Sequence, residues 1–409
     1  MTISPEARLS EAPATHASPV FSTTRLGPVQ LRNRVIKCGT NEGMSRDGLM
    51  TDALIDFHRE FAAGGVGMST LSYCSVASEG RTFKHQMWMR EEALPGLRRF
   101  TDAMHAEGAK AAIQLGHAGW FASPHAMKER PIGPSRTFSP HAQTFAREAS
   151  PADLDRLARK FAEAAAMAVD TGFSGIEVHA GHGYLISQFL CPWNNRRRDE
   201  FGGSLENRAR FPRQVMRAVY EATAGRAAVW AKLNMDDGFK GGLTLDEGVQ
   251  VARWFEEDGS ADALELTGGH TTKSPFYLMR GDVPAREMIA NQKHWLARLG
   301  MRVLAKRLLR PWKFEEAFFL ESARRFREAL SLPLILLGGI NRLETMEAAV
   351  AEGFDFLAMG RALIRDPDLV ARMQTGDLRA GRCSHCNLCM VEMERGGTRC
   401  VERPAAELR

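Results

Sequence analysis

TGFSGIEVHAGHGYLISQFLCPWNNRRRDEFGGSLENR, residues 171–208, decides how the rest of the chain is read. The apolar run from Phe173 to Val178 reads as a buried strand. It ends in His179, and His182 and Tyr184 follow at once. Two imidazoles and a phenol at the carboxyl end of a strand suit the holding of an oxyanion and the delivery of a proton. The surrounding chain must supply the reaction.

Outward from this stretch, short apolar runs alternate with helical patterns. Strands are expected at Val35–Gly39, Val66–Leu71, Ala111–Leu115, Gly175–His179, Ala228–Leu233, Ala263–Thr267, Leu332–Leu337 and Phe356–Met359. Helical patterns lie near 52–63, 95–107, 152–170, 204–223, 245–258, 315–329, 343–352 and 366–374. Eight strand–helix pairs predict an α/β chain closed as a (β/α)8 TIM barrel. An open doubly wound sheet would leave two pairs over, and no GxGxxG follows an early strand. Thr244–Glu247 spells a capping box, Ser150-Pro151 a helix start, and Gly64-Gly65 a helix stop. FSTTRLGPVQLRNR, turning at Gly27-Pro28, predicts a small hairpin ahead of the barrel.

Composition narrows the class. With 409 residues and 44% hydrophobic side chains the chain can bury a large core. No apolar run approaches the roughly 18 residues of a membrane span. Residues 1–19 lack the apolar core of a signal peptide and read as a disordered tail, which makes a cytoplasmic location the expectation. The barrel is expected over 20–380, with a cysteine-rich tail over 381–409. The net charge of +5 is unevenly placed: Arg280 to Lys313 holds nine Lys/Arg against two acids, so this segment carries +7 and the remainder −2. A nucleic-acid binder would spread its basic residues over a broad face with stacking aromatics, so nucleic acid is not the expected partner.

Functional residues of such a barrel gather at the carboxyl ends of its strands. Those ends read Gly39-Thr40-Asn41, Ser72-Tyr73, Gln114 with His117, His179 with His182, Lys232 with Asn234, Gly268-Gly269, Gly338-Gly339 and Gly360-Arg361. The last two glycine elements can bring backbone N–H groups up to a phosphate, with Arg361 as a bidentate partner. Lys232 could face a negatively charged ring and Gln114 the edge of a planar heterocycle. FMN matches this set; PLP is the runner-up, with Lys232 as its only strand-end lysine. A metal at His179 and His182 with Glu177 is the competing reading, but the histidines sit at a strand end and no third ligand is evident.

HAGHGYLISQFLCPWNNRRRDEFGGSLENRARF resembles the signature of the old yellow enzyme family, the FMN-dependent ene-reductases. IQLGHAG at 113–119, GGLTLDE at 241–247, LLGGI at 336–340 and LAMGRALIRDP at 357–367 are similar to the same family. The resemblance implies that His179 and His182 hydrogen-bond the substrate carbonyl and that Tyr184 protonates the α-carbon. It puts Gly39, Thr40, Asn41, Gln114, Lys232, Gly338, Gly339, Gly360 and Arg361 on or beside the FMN. Three positions depart from the pattern: Lys232 for a frequent arginine, Asn41 for Thr or Cys, and Trp120 for arginine. NAD(P)H is the implied reductant, bound in the substrate's place because no separate dinucleotide motif exists. The implied reaction is reduction of the C=C bond of an enone or enoyl compound.

Two segments fall outside that pattern. Cys383, Cys386, Cys389 and Cys400 have a spacing that suits a [4Fe–4S] cluster or tetrahedral zinc. It resembles the cluster motif of trimethylamine dehydrogenases and 2,4-dienoyl-CoA reductases, which implies an alternative: an amine dehydrogenase or demethylase passing electrons out through the tail. The insertion at about 274–313 places Arg298, Arg302, Lys306 and Arg310 on one helical ridge, with Leu296, Met301, Leu304 and Leu308 on the other flank. It is expected to cover the pocket as a lid, or to meet an anionic membrane or an acyl-CoA through 285–310. A homo-oligomer is compatible with this composition.

Overall fold

The computed structural model describes residues 18–123, 130–139, 141–277, 279–292, 295–308 and 311–404, with the side chains of 296–297 and 304–308 outside that description. Residues 1–17, most of the expected N-terminal tail, also lie outside it.

Eight parallel strands close into a barrel in chain order: Val35–Lys37, Met68–Ser75, Lys110–Gly116, Gly175–Ala180, Ala228–Asn234, Ala263–Thr267, Leu334–Leu337 and Phe356–Met359. The (β/α)8 expectation holds, and each expected strand lies within a few residues of its place. The helices expected outside the barrel form as well, among them Pro151–Asp170 and Leu245–Glu257. Both of these begin with reciprocal capping boxes, Ser150 with Asp153 and Thr244 with Glu247. The hairpin Thr24–Leu26/Val29–Leu31 turns at Gly27 (φ +51°) and plugs the amino end of the barrel with Leu26, Val29 and Leu31.

The period of two along each strand sorts the core. Outward-facing Ile113, Ile176, Val178, Val229, Leu264 and Leu336 join the helices in one large apolar cluster. Inside the lower barrel lies a smaller cluster of Ile36, Met68, Ala112, Ala228, Ala263, Ile335 and Phe356 around Trp230. Ala112, Ala228 and Ala263 in this cluster leave space that the one indole fills. Gly175 is part of this fit, since a Cβ there would stand 2.7 Å from the Trp230 ring. Further up the fifth strand the inward side chains turn polar, at Lys232 and Asn234, so the barrel has a dry floor and a polar mouth.

Two expectations need correction. The sixth barrel helix was expected from 315 but runs Leu320–Ala329. Residues 314–319 instead wrap over the mouth, with Ala317 in the left-handed region (φ +49°) and its N–H donated to the Gly339 carbonyl. Their three phenylalanines explain this, because Phe314, Phe318 and Phe319 bury themselves against the cavity and the glycine loop. In the insertion, the helix Trp295–Leu308 exposes Arg298 and Arg302 but also Trp295, Leu299 and Val303. The division into a basic ridge and an apolar flank, which Trp295 and Leu299 already blur in the sequence, is not observed among the described side chains, since both are exposed beside the arginines. The Arg298 guanidinium turns back to the Gln292 and Ala290 carbonyls. Arg310 and the side chains of Leu296, Leu304, Lys306 and Leu308 lie outside the described residues.

Trp230→Ala would open a void that neighbouring alanines cannot fill. It is expected to cost about 3–5 kcal/mol of unfolding free energy, measured by chemical denaturation with the slope unchanged.

Candidate active site

The barrel mouth opens into a cavity of about 970 Å³, at the upper end of the roughly 300–1,000 Å³ of cofactor and ligand sites. Residues from every barrel strand end line it, joined by the insertion through Tyr277, Met288 and Asn291 and by the tail through Cys389, Met390 and Thr398.

Beneath the cavity a belt of polar side chains crosses five consecutive strands. The Asn41 N–H donates to Ser72 Oγ (3.1 Å), and Ser72 Oγ donates to Gln114 Oε1 (3.2 Å). Gln114 Nε2 donates to Glu177 Oε1. Lys232 Nζ then bridges two carboxyls, Glu265 Oε1 at 2.6 Å and Glu177 Oε1 at 3.4 Å. Register produces these contacts, since Glu177 pairs with Gln114 and Lys232 with Glu265 across neighbouring strands. Lys232 is therefore not the lone cation expected from the sequence; two buried acids share it. Burial by itself would lower its pKa, but Glu177 and Glu265 outweigh that and raise it.

His179 stands at the end of the fourth strand, almost wholly buried, and its Nδ1 has no hydrogen-bond partner among the described residues. The following turn puts His182 at φ +59°, a strained conformation for a residue with a side chain. Asn234 holds it there, accepting the His182 N–H (3.0 Å) and donating to Asp237 Oδ1 and the Gly269 carbonyl, each at 2.7 Å. His182 Nε2 lies 2.8 Å from Thr267 Oγ1, and its ring stacks on Tyr277 at 3.8 Å and 2°. Burial, with the Lys232 charge behind it, pushes both imidazoles well below their ordinary pKa, so they stay neutral around pH 7. The Tyr184 ring lies 4.2 Å from that of His179, with edges of Tyr73 and Phe121 against it. Burial pushes its phenol well above the usual range, so it keeps its proton.

The remaining expected residues divide. Gly39, Asn41, Gln114, Gly338, Gly339 and Gly360 all line the cavity. Gly338 (φ +107°) and Gly339 (φ +74°) need their freedom, because a Cβ on either would strike Phe318 or Phe319. Thr40 lines the cavity too, but its hydroxyl bonds Lys37 (2.9 Å) and Glu42 (3.2 Å) in a second buried cluster. Arg361 reaches the cavity wall while donating to the Arg280 carbonyl and to Asn387, tying insertion and tail together. Trp120 is buried beneath the mouth against Phe121 and Trp193 and is absent from the cavity lining.

The expected metal site is not supported. The four tail thiols are close enough to influence one another electrostatically. No group of three or more His, Cys, Asp and Glu among the described residues is arranged to hold a metal ion. Burial raises the Cys383 thiol and pushes Cys389 up to about 11. Cys383 Sγ rests 3.8 Å from His385 Nδ1, and the His385 ring is stacked on Phe314 at 3.4 Å.

Glu265, Thr267 and Tyr277 were missed as site residues by sequence reasoning, and Glu177 was read only as a ligand of the competing metal site. One signal was available for Tyr277: the chain has only four tyrosines, and three of them, Tyr73, Tyr184 and Tyr277, line the cavity.

A barrel with a polar mouth, glycine loops after its last two strands and two neutral histidines beside a protonated tyrosine defines a cofactor-dependent oxidoreductase class. The model of the NADH:flavin oxidoreductase / NADH oxidase family matches residues 19–267, and the chain belongs to that FMN-binding family. It is 47% identical over 390 residues to 4,4'-dithiodibutanoate disulfide reductase of Rhodococcus erythropolis, covering 95% of this chain and 96% of that protein. It is 31% identical to the NADH oxidase of Thermoanaerobacter brockii, covering 91% of this chain but 54% of that protein. Among solved structures, a 2-naphthoyl-CoA reductase complex superposes with a TM-score of 0.80 at 26% identity, over 95% of this chain and 57% of the other. The old yellow enzyme homologue of Zymomonas mobilis has a TM-score of 0.71 at 21% identity, over 94% and 99% of the two chains, and speaks for the fold alone.

FMN fits the residues present: glycine backbone at one end of the cavity, Gln114 and Lys232 at its floor, and the unpartnered His179 nitrogen at its edge. Tyr277→Leu would remove the plane on which His182 rests. It is expected to raise KM for the oxidising substrate about 2- to 10-fold in steady-state kinetics, the equivalent of one aromatic stack.

Proposed function

We propose that this protein uses NAD(P)H to reduce the C=C bond of α,β-unsaturated carbonyl or enoyl compounds. The observation that carries the reading is the buried His179 imidazole, its Nδ1 without a hydrogen-bond partner among the described residues, beside the protonated Tyr184 phenol at one wall of the cavity. When bound, FMN supplies hydride transfer at N5, alternately facing nicotinamide and substrate. The neutral imidazoles of His179 and His182 hold the substrate carbonyl oxygen by N–H donation as negative charge grows there. Thr267 and the Tyr277 stack fix the His182 ring, and Asn234 fixes its backbone. The Tyr184 hydroxyl delivers the proton to the α-carbon, and the bulk of Tyr73 and Phe121 holds the phenol in place. The belt from Ser72 to Lys232 orients the flavin edge, and Gly338, Gly339 and Gly360 let the phosphate approach the backbone.

Tyr184→Phe is expected to slow the protonation step about 100-fold or more while leaving anaerobic reduction by NADPH nearly unchanged. His179→Ala is expected to lower kcat for enones by about 10²- to 10³-fold. Stopped-flow measurement of the two half-reactions with cyclohexenone separates these effects. A Tyr184→Phe enzyme with unaltered enone turnover would remove Tyr184 from the role.

A second reading, disulfide reduction, is supported by the 47% identical relative. One structural observation favours it. Lys273 lines the mouth, is exposed and lies 4.1 Å over the Trp193 ring, where a substrate carboxylate could meet it. Lys273→Met is then expected to raise KM for 4,4'-dithiodibutanoate about 2- to 5-fold and to leave cyclohexenone unaffected, as for an exposed ion pair. Reoxidation of the NADPH-reduced protein by the disulfide but not the enone would put this reading first. The amine-dehydrogenase alternative needs an electron exit through Cys383, Cys386, Cys389 and Cys400, of which Cys389 lines the cavity, and the described residues hold no metal-binding arrangement for it. Reduction by an amine together with stoichiometric iron in anaerobically purified protein would establish it; absence of both would end it.

A further inference from the structure

The two acids beneath the cavity are more than an anchor for Lys232. Glu177 and Glu265 are fully buried, each has one carboxyl oxygen without a hydrogen-bond partner among the described residues, and both have their other oxygen on the same ammonium. The two carboxyl groups are thus held on one ammonium, with Glu265 Oε1 at 2.6 Å and Glu177 Oε1 at 3.4 Å. Two buried carboxylates sharing one cation repel each other, and a proton on one of them relieves that repulsion. With both acids ionised the group would carry a net −1 directly beneath the site of a ring that gains negative charge on reduction. With one proton added it is neutral.

We infer that Glu177, Lys232 and Glu265 form a proton store, in which one carboxyl takes up a proton as the bound flavin is reduced. This goes beyond the choice of oxidising substrate and holds whichever acceptor is turned over. Glu265 is the better placed carrier. Burial first, then the neighbouring Glu177 charge, push its carboxyl up to about 7, against the pull of Lys232. The other groups facing the cluster are Cys38 and Lys37 from the first strand, neutral Gln114 from the third, His179 and His182 beyond the fourth, and Tyr277 from the insertion. Burial pushes Cys38 up to about 11, so it remains a thiol. The histidines are uncharged, and the Lys37 charge is matched by Glu42 at 3.0 Å. Glu265 is thus the member of this set whose charge changes near neutrality. The sign follows. Below pH 7 the carboxyl already holds its proton; above it the proton is absent until negative charge arrives overhead and raises the carboxyl's affinity for it.

The test is the flavin midpoint potential of the holoenzyme between pH 7 and 9, with no substrate present. Each proton taken up with two electrons contributes about 30 mV per pH unit. The wild type is expected to show about 60 mV per pH unit, one proton for the ring and one for the store, and Glu265→Gln about 30. A wild-type slope of about 30 throughout overturns the inference, as does a slope of about 60 retained in both Glu265→Gln and Glu177→Gln. The flavin-free protein gives an independent readout. The infrared carbonyl band of a protonated carboxylic acid should fade between pH 6 and 9 and be missing from Glu265→Gln. If Glu265→Gln does not fold, the wild-type slope and band still decide: no titrating band overturns the store. Neither readout uses turnover, so failure here is distinct from failure of the proposed reaction.

Discussion

The buried contact of Lys232 with two carboxyls is the constraint on which the site depends. An ammonium and two acids taken out of water are costly unless they meet at close range. The barrel meets that demand by placing them on three consecutive strands, Lys232 in register with Glu265 and two residues beyond the level of Glu177. Gln114 and Ser72 extend the same network to the second strand and, through the Asn41 N–H, to the loop after the first. The belt is therefore structural and chemical at once. It satisfies polar groups at the level where the dry floor around Trp230 ends, and it forms the floor of the cavity.

Above the belt, the reactive side chains are held by second contacts. His182 is fixed by Asn234 through its backbone, by Thr267 through its ring nitrogen and by Tyr277 through its face. The Tyr184 ring is held by aromatic packing among the described residues, which leaves its hydroxyl available. The insertion and the tail close the mouth from opposite sides and meet at Arg361, where the Arg280 carbonyl and the Asn387 side chain share one guanidinium. A residue expected to hold phosphate thus also fastens the cover.

The covering segments are where this chain departs from a plain flavin barrel. Phe314, Phe318 and Phe319 build a wall that no strand-end rule anticipates. His385 stacks on that wall and brings the cysteine tail to the cavity edge. The helix Trp295–Leu308 stands apart from the cavity, with Trp295, Leu299 and Val303 in solvent beside Arg298 and Arg302.

The eight strands, their order and the residues His179, His182, Tyr184, Gln114 and Lys232 were legible in the sequence by itself. Their signals are local: apolar runs of strand length, caps such as Thr244 with Glu247, and polar residues where a run stops. Only the tertiary structure decided what those residues touch. Glu177 and Glu265 read as ordinary inward positions until register sets them on either side of Lys232. Tyr277, about 95 residues beyond His182, becomes its stacking partner only when the insertion folds back over the mouth. The four cysteines have a metal-like spacing, yet the turn at His385 and the burial of Cys389 leave them without metal-holding geometry among the described residues. Spacing along a chain specifies which groups can meet, whereas charge pairing and ring stacking depend on distances that close only when strands far apart in sequence lie side by side.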